Sequence, residues 1–153
     1  VGAESRGMFA VKPALVDGEW SVERLWRHRE VSFDMSSPVV NDGLVYGFSE
    51  FKMGRLACLQ PETGVVLWEG EPRAGENGQF LSLPGHVLLL TENGLLRVLR
   101  ANRKKYEALR TYRVAEGDTW TAPALVGHSL FIKSGDHLSV WRLPSAGGEK
   151  LSK

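Results

Sequence analysis

The sequence predicts an all-β protein, a partial β-propeller of about three four-stranded antiparallel blades with a half blade at the N-terminus. Short apolar runs separated by Gly- or Pro-containing turns fill the chain, and no segment shows a sustained helical stripe. The runs at Leu44, Val87 and Leu130 begin 43 residues apart, the period of a propeller blade. About three and a half such periods fit in 153 residues, fewer than a closed propeller usually needs.

The clearest blade is predicted over residues 36–68. Asn41-Asp42-Gly43 indicates a tight hairpin turn, because Asp-Gly supplies the positive φ that such a turn needs. An inner strand precedes this turn at 36–40, where Pro38 is tolerated near the strand start. Three further strands and the turns between them follow in the order 44–49, 50–54, 55–59, 60–64 and 65–68.

The remaining blades are less regular. A half blade is predicted over 8–26, with strands at 8–11 and 20–26. A second blade covers 79–113, and an incomplete blade over 120–143 begins with a strand at 120–126. Residues 144–153 are small, polar and Gly-rich and predict a flexible tail. The chain would then carry open blade edges, for which the sequence leaves two interpretations, a piece of a longer propeller or copies that assemble into a ring.

Composition argues against several function classes. The 19 Lys and Arg residues nearly balance 18 Asp and Glu residues, and the densest basic run, 100–105, lies in a predicted turn, so nucleic acid is not an expected partner. No apolar run reaches the ~18 residues of a membrane span. The first residues lack the pattern of a secretory signal peptide. Cys58 is the one cysteine and is expected to be a small packed hydrophobe.

Residues 36–46, 54–59 and 63–68 resemble the pyrroloquinoline-quinone (PQQ)-type propeller repeat, S-P-x-V-x-x-G-x-(V/L)-Y followed by G-x-L-x-A-L-D-x-x-T-G-x-x-x-W. The resemblance covers most of residues 8–143, weakens in the second blade and implies a periplasmic or secreted bacterial protein. In such a blade an outer-strand Trp packs over the neighbouring blade and a Thr-Gly pair fixes a turn. The residues expected to build this structural motif are Trp26, Gly54, Thr63, Gly64, Trp68 and Gly94.

The family resemblance also raises an enzymatic alternative, a fragment of a quinone-dependent dehydrogenase that uses PQQ and calcium. Trp120 would be the stacking floor and Glu76 and Asn77 the oxygen ligands of the cation. The sequence disfavours this alternative, because the adjacent cysteine pair of many such enzymes is missing. The equivalent turn positions of His86 and His128 spread them apart, so no metal site, cofactor or catalytic residue is assigned.

The favoured interpretation is a non-catalytic binding or scaffolding module. Loops between an outer strand and the next inner strand line one face of a propeller, and a rigid scaffold suits them to binding. These loops are predicted at 27–34, 70–78 and 115–119, and charge reversal at Arg73 or Glu76 is expected to abolish a partner interaction. The candidates for contact with a protein or small-molecule ligand are Arg27, Asp34, Arg73, Glu76, Asn77, Asp118 and Trp120. A third interpretation is an assembly module whose open edges pair with another copy or with the remaining blades of a parent chain.

Overall fold

The computed structural model describes residues 2–3, 7–33, 35–51 and 53–143, which form strands, turns and loops without a helix. Accordingly, the described residues contain no helix long and apolar enough to cross a membrane. The predicted tail at 144–153 lies outside the described residues. The strands are β1 (Gly2–Ala3), β2 (Gly7–Val16), β3 (Glu19–His28), β4 (Val39–Asn41), β5 (Leu44–Ser49), β6 (Arg55–Leu59), β7 (Val66–Glu69), β8 (Gly78–Leu83), β9 (His86–Thr91), β10 (Leu95–Arg100), β11 (Ala108–Arg113), β12 (Ala124–Val126), β13 (Ser129–Ser134) and β14 (His137–Arg142).

These strands form four antiparallel sheets in which sequence neighbours pair. We call them the half blade (β1–β3), blade 1 (β4–β7), blade 2 (β8–β11) and blade 3 (β12–β14). The arrangement confirms the predicted all-β, partial propeller. Tight turns set the strand pairing: Asp42 and Gly43 both have positive φ, 48° and 71°, as a two-residue hairpin of the right twist requires.

Apolar packing lies between successive sheets. Met8 on the half blade packs with Ala57 and Leu59 of blade 1. Tyr46 and Cys58, on the opposite face of blade 1, pack with residues of blade 2 that include Val87 and Leu89. A third cluster, at the boundary of blades 2 and 3, contains Leu88, Leu90, Leu96, Leu130 and Ile132. Blades 1 and 2 therefore each bury one face against the sheet before and the other face against the sheet after.

Two tryptophans join the blades at their outer strands. The Trp26 indole nitrogen donates a hydrogen bond to the Pro61 carbonyl oxygen at 2.6 Å, and Trp68 donates to the Asn102 carbonyl oxygen at 2.9 Å. Gly64 lies directly against the Trp26 ring with φ of +71°, and a Cβ there would stand 2.4 Å from a ring carbon. The Thr-Gly turn of one blade thus receives the indole of the blade before it.

The residue of blade 1 that is structurally equivalent to Val87 is Val45, one position after Leu44, with which the sequence pattern had matched it. The equivalent position in each blade packs against the preceding sheet and is occupied by Val45, Val87 and Leu130. The cross-strand partners at this position are Leu59, Leu99 and Trp141, respectively. The spacing from blade 1 to blade 2 is therefore 42 residues, and from blade 2 to blade 3 it is 43. Because strand side chains alternate with period two, the one-residue shift decides which neighbour each side chain faces.

Several strand bounds differ from the predicted ones. Strands β4 and β12 begin at Val39 and Ala124, directly after Pro38 and Pro123, because proline has no N–H to donate to a ladder. Trp120 consequently lies in a loop and not at the start of a strand. The N-terminal strands β2 and β3 are longer than predicted, at 10 residues each, so Arg27 lies within a strand and not in a loop.

Candidate binding cleft on the loop face

One face of the molecule collects loops from successive blades. In a four-stranded antiparallel sheet, the turn between the second and third strands lies at the same end as the connection to the next sheet. We call the connections 29–38, 70–77 and 114–123 the linkers, and the turns 50–54, 92–94 and 135–136 the second turns. We call the surface that they form the loop face.

Backbone hydrogen bonds dock linkers 70–77 and 114–123 onto the second turns of the blades that they leave. The Gly54 carbonyl oxygen accepts from the Ala74 N–H at 2.9 Å, and the Gly94 carbonyl oxygen accepts from the Val114 N–H at the same distance. Gly54 has φ of +82°, and a Cβ there would lie 1.8 Å from the Gly75 carbonyl oxygen. Glycine is therefore required at this turn both by its φ and by the close approach of the linker.

Glu92 connects two linkers. Its backbone N–H donates to the Asn77 carbonyl oxygen at 3.1 Å, and its backbone carbonyl oxygen accepts from the Thr119 N–H at 2.8 Å. Its carboxylate Oε2 accepts from the Asn77 N–H at 3.1 Å. The side chain also packs on Gly75, where a Cβ would stand 2.5 Å from Oε2. The second turn of blade 2 thereby anchors the end of linker 70–77.

A cleft of 440 Å³ opens at this junction, between the second turn of blade 1 and linker 70–77. We call it the loop-face cleft; its lining consists of Glu50, Met53, Gly54, Arg73, Gly75, Glu76 and Glu92. Four lining residues have positive φ, Met53 at 63°, Gly54 at 82°, Arg73 at 60° and Gly75 at 143°. Non-glycine residues in this conformation cost free energy and often mark functional loops.

The charges that line the loop-face cleft are unequal. Among the described residues of the lining, three carry a carboxylate, namely Glu50, Glu76 and Glu92, and one, Arg73, carries a guanidinium. Arg73 and Glu76 are exposed, whereas Glu92 is half-buried. A concave surface with excess negative charge favours a cationic group, and its low-dielectric walls strengthen that attraction.

The predicted contact residues are only partly brought together. Arg73 and Glu76 share the loop-face cleft. Asp118 is exposed on the next linker, and its carbonyl oxygen accepts from the Gly135 N–H at 3.3 Å. Arg27 lies on β3, and Trp120 is half-exposed on linker 114–123 outside the lining of the cleft. Asp34 lies outside the described residues.

Asn77 lies in a different environment from that expected of an exposed ligand-binding side chain. It is 3% exposed, and both its backbone groups are bonded to Glu92. Its side-chain Oδ1 accepts a hydrogen bond from the Gln79 Nε2 at 3.3 Å. These contacts make Asn77 a structural anchor of the linker, so it does not offer the free amide oxygen that the calcium site of the dehydrogenase alternative would use.

The metal ligands that the dehydrogenase alternative would use, and the one cysteine of the chain, can also be located in the structure. Within the described ranges, no three His, Cys, Asp or Glu side chains are grouped so as to hold a metal ion. Cys58 is fully buried between blades 1 and 2, and burial raises the pKa of its thiol to about 11. A thiol with this pKa is protonated at neutral pH and is a poor nucleophile. Asn77, buried beneath Glu92, lies in a different setting from the exposed oxygen ligand that the dehydrogenase alternative assigned to it.

Sequence reasoning missed Glu50, Met53 and Glu92, which contribute much of the cleft lining. All three belong to second turns, whereas the sequence predicted only the linkers as the functional face. Blade topology could have found them, because second turns and linkers lie at the same end of a four-stranded sheet. The docking of Glu92 on the preceding linker is a tertiary contact without a sequence signal.

Comparisons with known proteins show the fold. No family model matches the chain, and no curated protein does. The computationally designed protein Ika4 is 18% identical, with a TM-score of 0.60 over 93% of this chain and 88% of that one. BamB from Moraxella catarrhalis is 13% identical, with a TM-score of 0.52 over 93% of this chain and 56% of that one. A europium-containing methanol dehydrogenase is 15% identical, with a TM-score of 0.50 over 69% of this chain and 22% of that one.

The chain thus spans about half the length of BamB and about a fifth of the dehydrogenase. BamB and the methanol dehydrogenase are β-propellers of the PQQ type. At these identities the likeness is one of fold. Together with the four antiparallel sheets, it establishes the chain as a β-propeller segment.

Proposed function

We propose that this chain is a non-catalytic segment of a bacterial envelope or secreted protein, and that its loop-face cleft binds a cationic group on a protein or small-molecule partner. The observation that carries the proposal is the cleft of 440 Å³, lined by three glutamates and one arginine. The likeness in fold to BamB and the repeat-like sequence of blade 1 support the envelope location.

The structure of the linker supports binding without reorganisation. Glu92 holds both the N–H and the carbonyl oxygen of Asn77, which fixes the end of linker 70–77 next to Glu76. The carbonyl oxygen of Gly54 fixes its centre at Ala74. A loop already held in place loses little conformational entropy on binding, so more of the interaction energy remains as affinity.

The negative charge of the cleft is local. The chain as a whole has a formal net charge of +1, so a cationic ligand gains nothing from long-range attraction to the whole molecule. A cation that binds must therefore be attracted by the carboxylates of the loop-face cleft itself. Salt should weaken this binding, because the side chains of Glu76 and Arg73 are exposed to solvent.

Charge-reversal variants test this proposal with a fluorescently labelled oligolysine peptide as the probe and an oligoglutamate peptide of equal length as the control. Glu76→Lys should weaken binding of oligolysine about tenfold or more, and Arg73→Glu should strengthen it. Glu62→Lys is the matched control, because Glu62 is exposed on the turn 60–64, away from the loop-face cleft. Fluorescence anisotropy reports the affinities, and thermal melts should be unchanged because all three side chains are exposed.

Equal loss of oligolysine binding in Glu76→Lys and Glu62→Lys would contradict the proposal, since it would show attraction to charge anywhere on the surface. Absence of oligolysine binding to the unmodified chain at low salt would contradict it as well.

A further inference from the structure

Within the part of the chain that the structure describes, one apolar face of each terminal sheet is left uncovered. On the half blade, cross-strand pairs join Pro13 to Val22 and Leu15 to Trp20, so these side chains lie on one face with Phe9 and Val11. Trp20 is 74% exposed and Val22 is 66% exposed. We call this surface the head face; it consists of Phe9, Val11, Pro13, Leu15, Trp20 and Val22.

The head face points away from blade 1. Met8 and Trp26 pack against blade 1, and because side chains alternate along a strand, Phe9 lies on the other face of β2. The guanidinium of Arg24 lies 5.7 Å from the centre of the Phe9 ring, on this same outward face.

On blade 3, the described residues leave uncovered the face that is directed away from blade 2. Leu130, Ile132 and Trp141 pack against blade 2, so the residues between them in β13 and β14 face away from it. Leu138 is 66% exposed and Val140 is 45% exposed. We call this surface the tail face; it consists of Ala124, Val126, Phe131, Leu138 and Val140.

The tail face occupies the same position that buried side chains occupy in the other blades. The Phe131–Val140 pair corresponds to the Tyr46–Cys58 pair of blade 1. Tyr46 and Cys58 are both fully buried by the following blade. The tail face is therefore suited to pack against the face that another blade turns toward the sheet before it.

The head face is the half-blade equivalent of the face that blade 1 turns toward the sheet before it. By strand pairing, Ala10–Trp26 of the half blade corresponds to Cys58–Trp68 of blade 1. Phe9 and Val11 then take the places of Ala57 and Leu59, which are buried against the sheet before them. Head face and tail face are the two unused halves of one interface that the chain repeats internally between all its sheets.

We propose that the chain associates with a second copy of itself, the head face of each copy docking on the tail face of the other. A head-to-tail contact of this kind closes into a ring when the rotation between copies permits. The described residues form four sheets, so two copies of four supply eight, within the ~4–8 blades of closed propellers. A closed dimer is the expected product.

Charge at the two faces predicts how salt affects this association. Exposed Arg24 accompanies the head face, and exposed Lys133 and Arg142 lie on the strands of the tail face. Like charges oppose docking at low ionic strength, and salt screens them while it strengthens apolar contact. Self-association should therefore tighten with salt, whereas oligolysine binding at the loop-face cleft should weaken, so the two proposals fail independently.

Sedimentation velocity and light scattering over a range of concentrations test the proposal. The unmodified chain should form dimers, and either Trp20→Lys or Leu138→Lys should yield monomers at the same concentrations. Val65→Lys is the matched control, because Val65 is 53% exposed but lies outside both faces. Circular dichroism and thermal melts should show that all variants remain folded.

Mixing the two monomeric variants gives the sharpest result. The tail face of Trp20→Lys and the head face of Leu138→Lys are both intact, so the mixture should regain one interface and form a heterodimer. A dimer that persists in either single variant would overturn head-to-tail docking in favour of pairing between like faces. A monomer at every concentration and salt level would overturn the proposal outright and leave the faces to further blades of a longer chain.

Discussion

The indole nitrogen of Trp26 and the carbonyl oxygen of Pro61 form a hydrogen bond of 2.6 Å that joins the half blade to blade 1. The same contact recurs one blade later, between Trp68 and Asn102 at 2.9 Å. This repetition shows that the tryptophans specify how successive sheets stack, in addition to filling space between them. The stacking in turn brings the linkers and second turns together on the loop face.

Removal of the indole hydrogen bond should weaken the blade contact. Trp26→Phe keeps an aromatic ring but leaves the Pro61 carbonyl oxygen without this donor, so the free energy of unfolding should fall by about 1–2 kcal/mol. Trp120→Phe is the matched control, since Trp120 is 50% exposed and lies outside the head and tail faces, and it should change stability little. Urea denaturation measures both; equal stability of the two variants would show that the Trp26 hydrogen bond contributes nothing.

A methyl group at Gly64 should disrupt the seat of Trp26. Gly43 has the same φ of +71° as Gly64 but nothing within 4 Å of an added Cβ. Gly43→Ala should therefore cost only the backbone strain of about 1–2 kcal/mol, whereas Gly64→Ala adds a clash with the Trp26 ring. We expect Gly64→Ala to reduce the free energy of unfolding at least twice as much. Equal losses would mean that the Trp26 ring moves aside freely.

Asn41 connects blade 1 to blade 2. Its side-chain Nδ2 lies 2.8 Å from the Ser82 hydroxyl, 2.6 Å from the Leu83 carbonyl oxygen and 3.0 Å from the His86 carbonyl oxygen. Asn41→Asp would replace this donor by a carboxylate facing two carbonyl oxygens, and should cost about 3 kcal/mol at neutral pH. Acidification that protonates the new carboxylate should recover part of the loss, as measured by urea denaturation.

Asn93→Asp is the control for that variant, because Asn93 is exposed and its Oδ1 already accepts a hydrogen bond from Thr91. Its stability should remain close to that of the unmodified chain. A loss in Asn41→Asp no larger than in Asn93→Asp would mean that the Asn41 contacts do not hold the blades together.

The buried thiol of Cys58 should be unreactive in the folded chain. Burial raises its pKa from 9.0 to about 11, so near neutral pH the folded chain holds about 100-fold less thiolate than an exposed cysteine. Alkylation by iodoacetamide should therefore be slow in buffer and fast in urea. Rapid alkylation of the folded chain would contradict the placement of Cys58 between blades 1 and 2.

Stability should also fall in alkali. A raised pKa means that the folded state binds the proton more tightly than the unfolded state, so its stabilising effect is complete below pH 9 and is lost as pH rises toward 11. Burial also raises the pKa of Tyr46 next to Cys58, and this acts in the same direction. Urea denaturation in this pH range should show a steeper decline for the unmodified chain than for Cys58→Ala.

Local chemistry made much of the fold predictable from the sequence. Asp42-Gly43 requires a tight turn, and alternation of apolar residues around it defines strands wherever turns punctuate the chain. The strand bounds predicted from the sequence were wrong where the length of a strand depends on its pairing with another strand and not on the local residue pattern. The first strand of the half blade was predicted to end at residue 11, yet β2 continues through Pro13 to Val16, and Pro13 is accommodated because, among the described strands, β2 pairs along this stretch with β3 alone.

The binding cleft was less predictable than the fold. Arg73 and Glu76 were found because their linker is rich in glycine and charge. Asn77 has the same local setting, but burial under Glu92 makes it structural, and no local pattern carries that information. Glu92 joins the cleft only because neighbouring blades bring its turn against the preceding linker.

NMR titration of the isotope-labelled chain with an oligolysine peptide tests whether the loop-face cleft is the binding site for a cationic group. The backbone amide signals of Gly54, Gly75 and Glu76 should shift progressively, while those of the Thr63–Gly64 turn at the other end of the strands stay in place. Shifts scattered over exposed acidic residues, with the cleft amides unchanged, would contradict binding at the cleft.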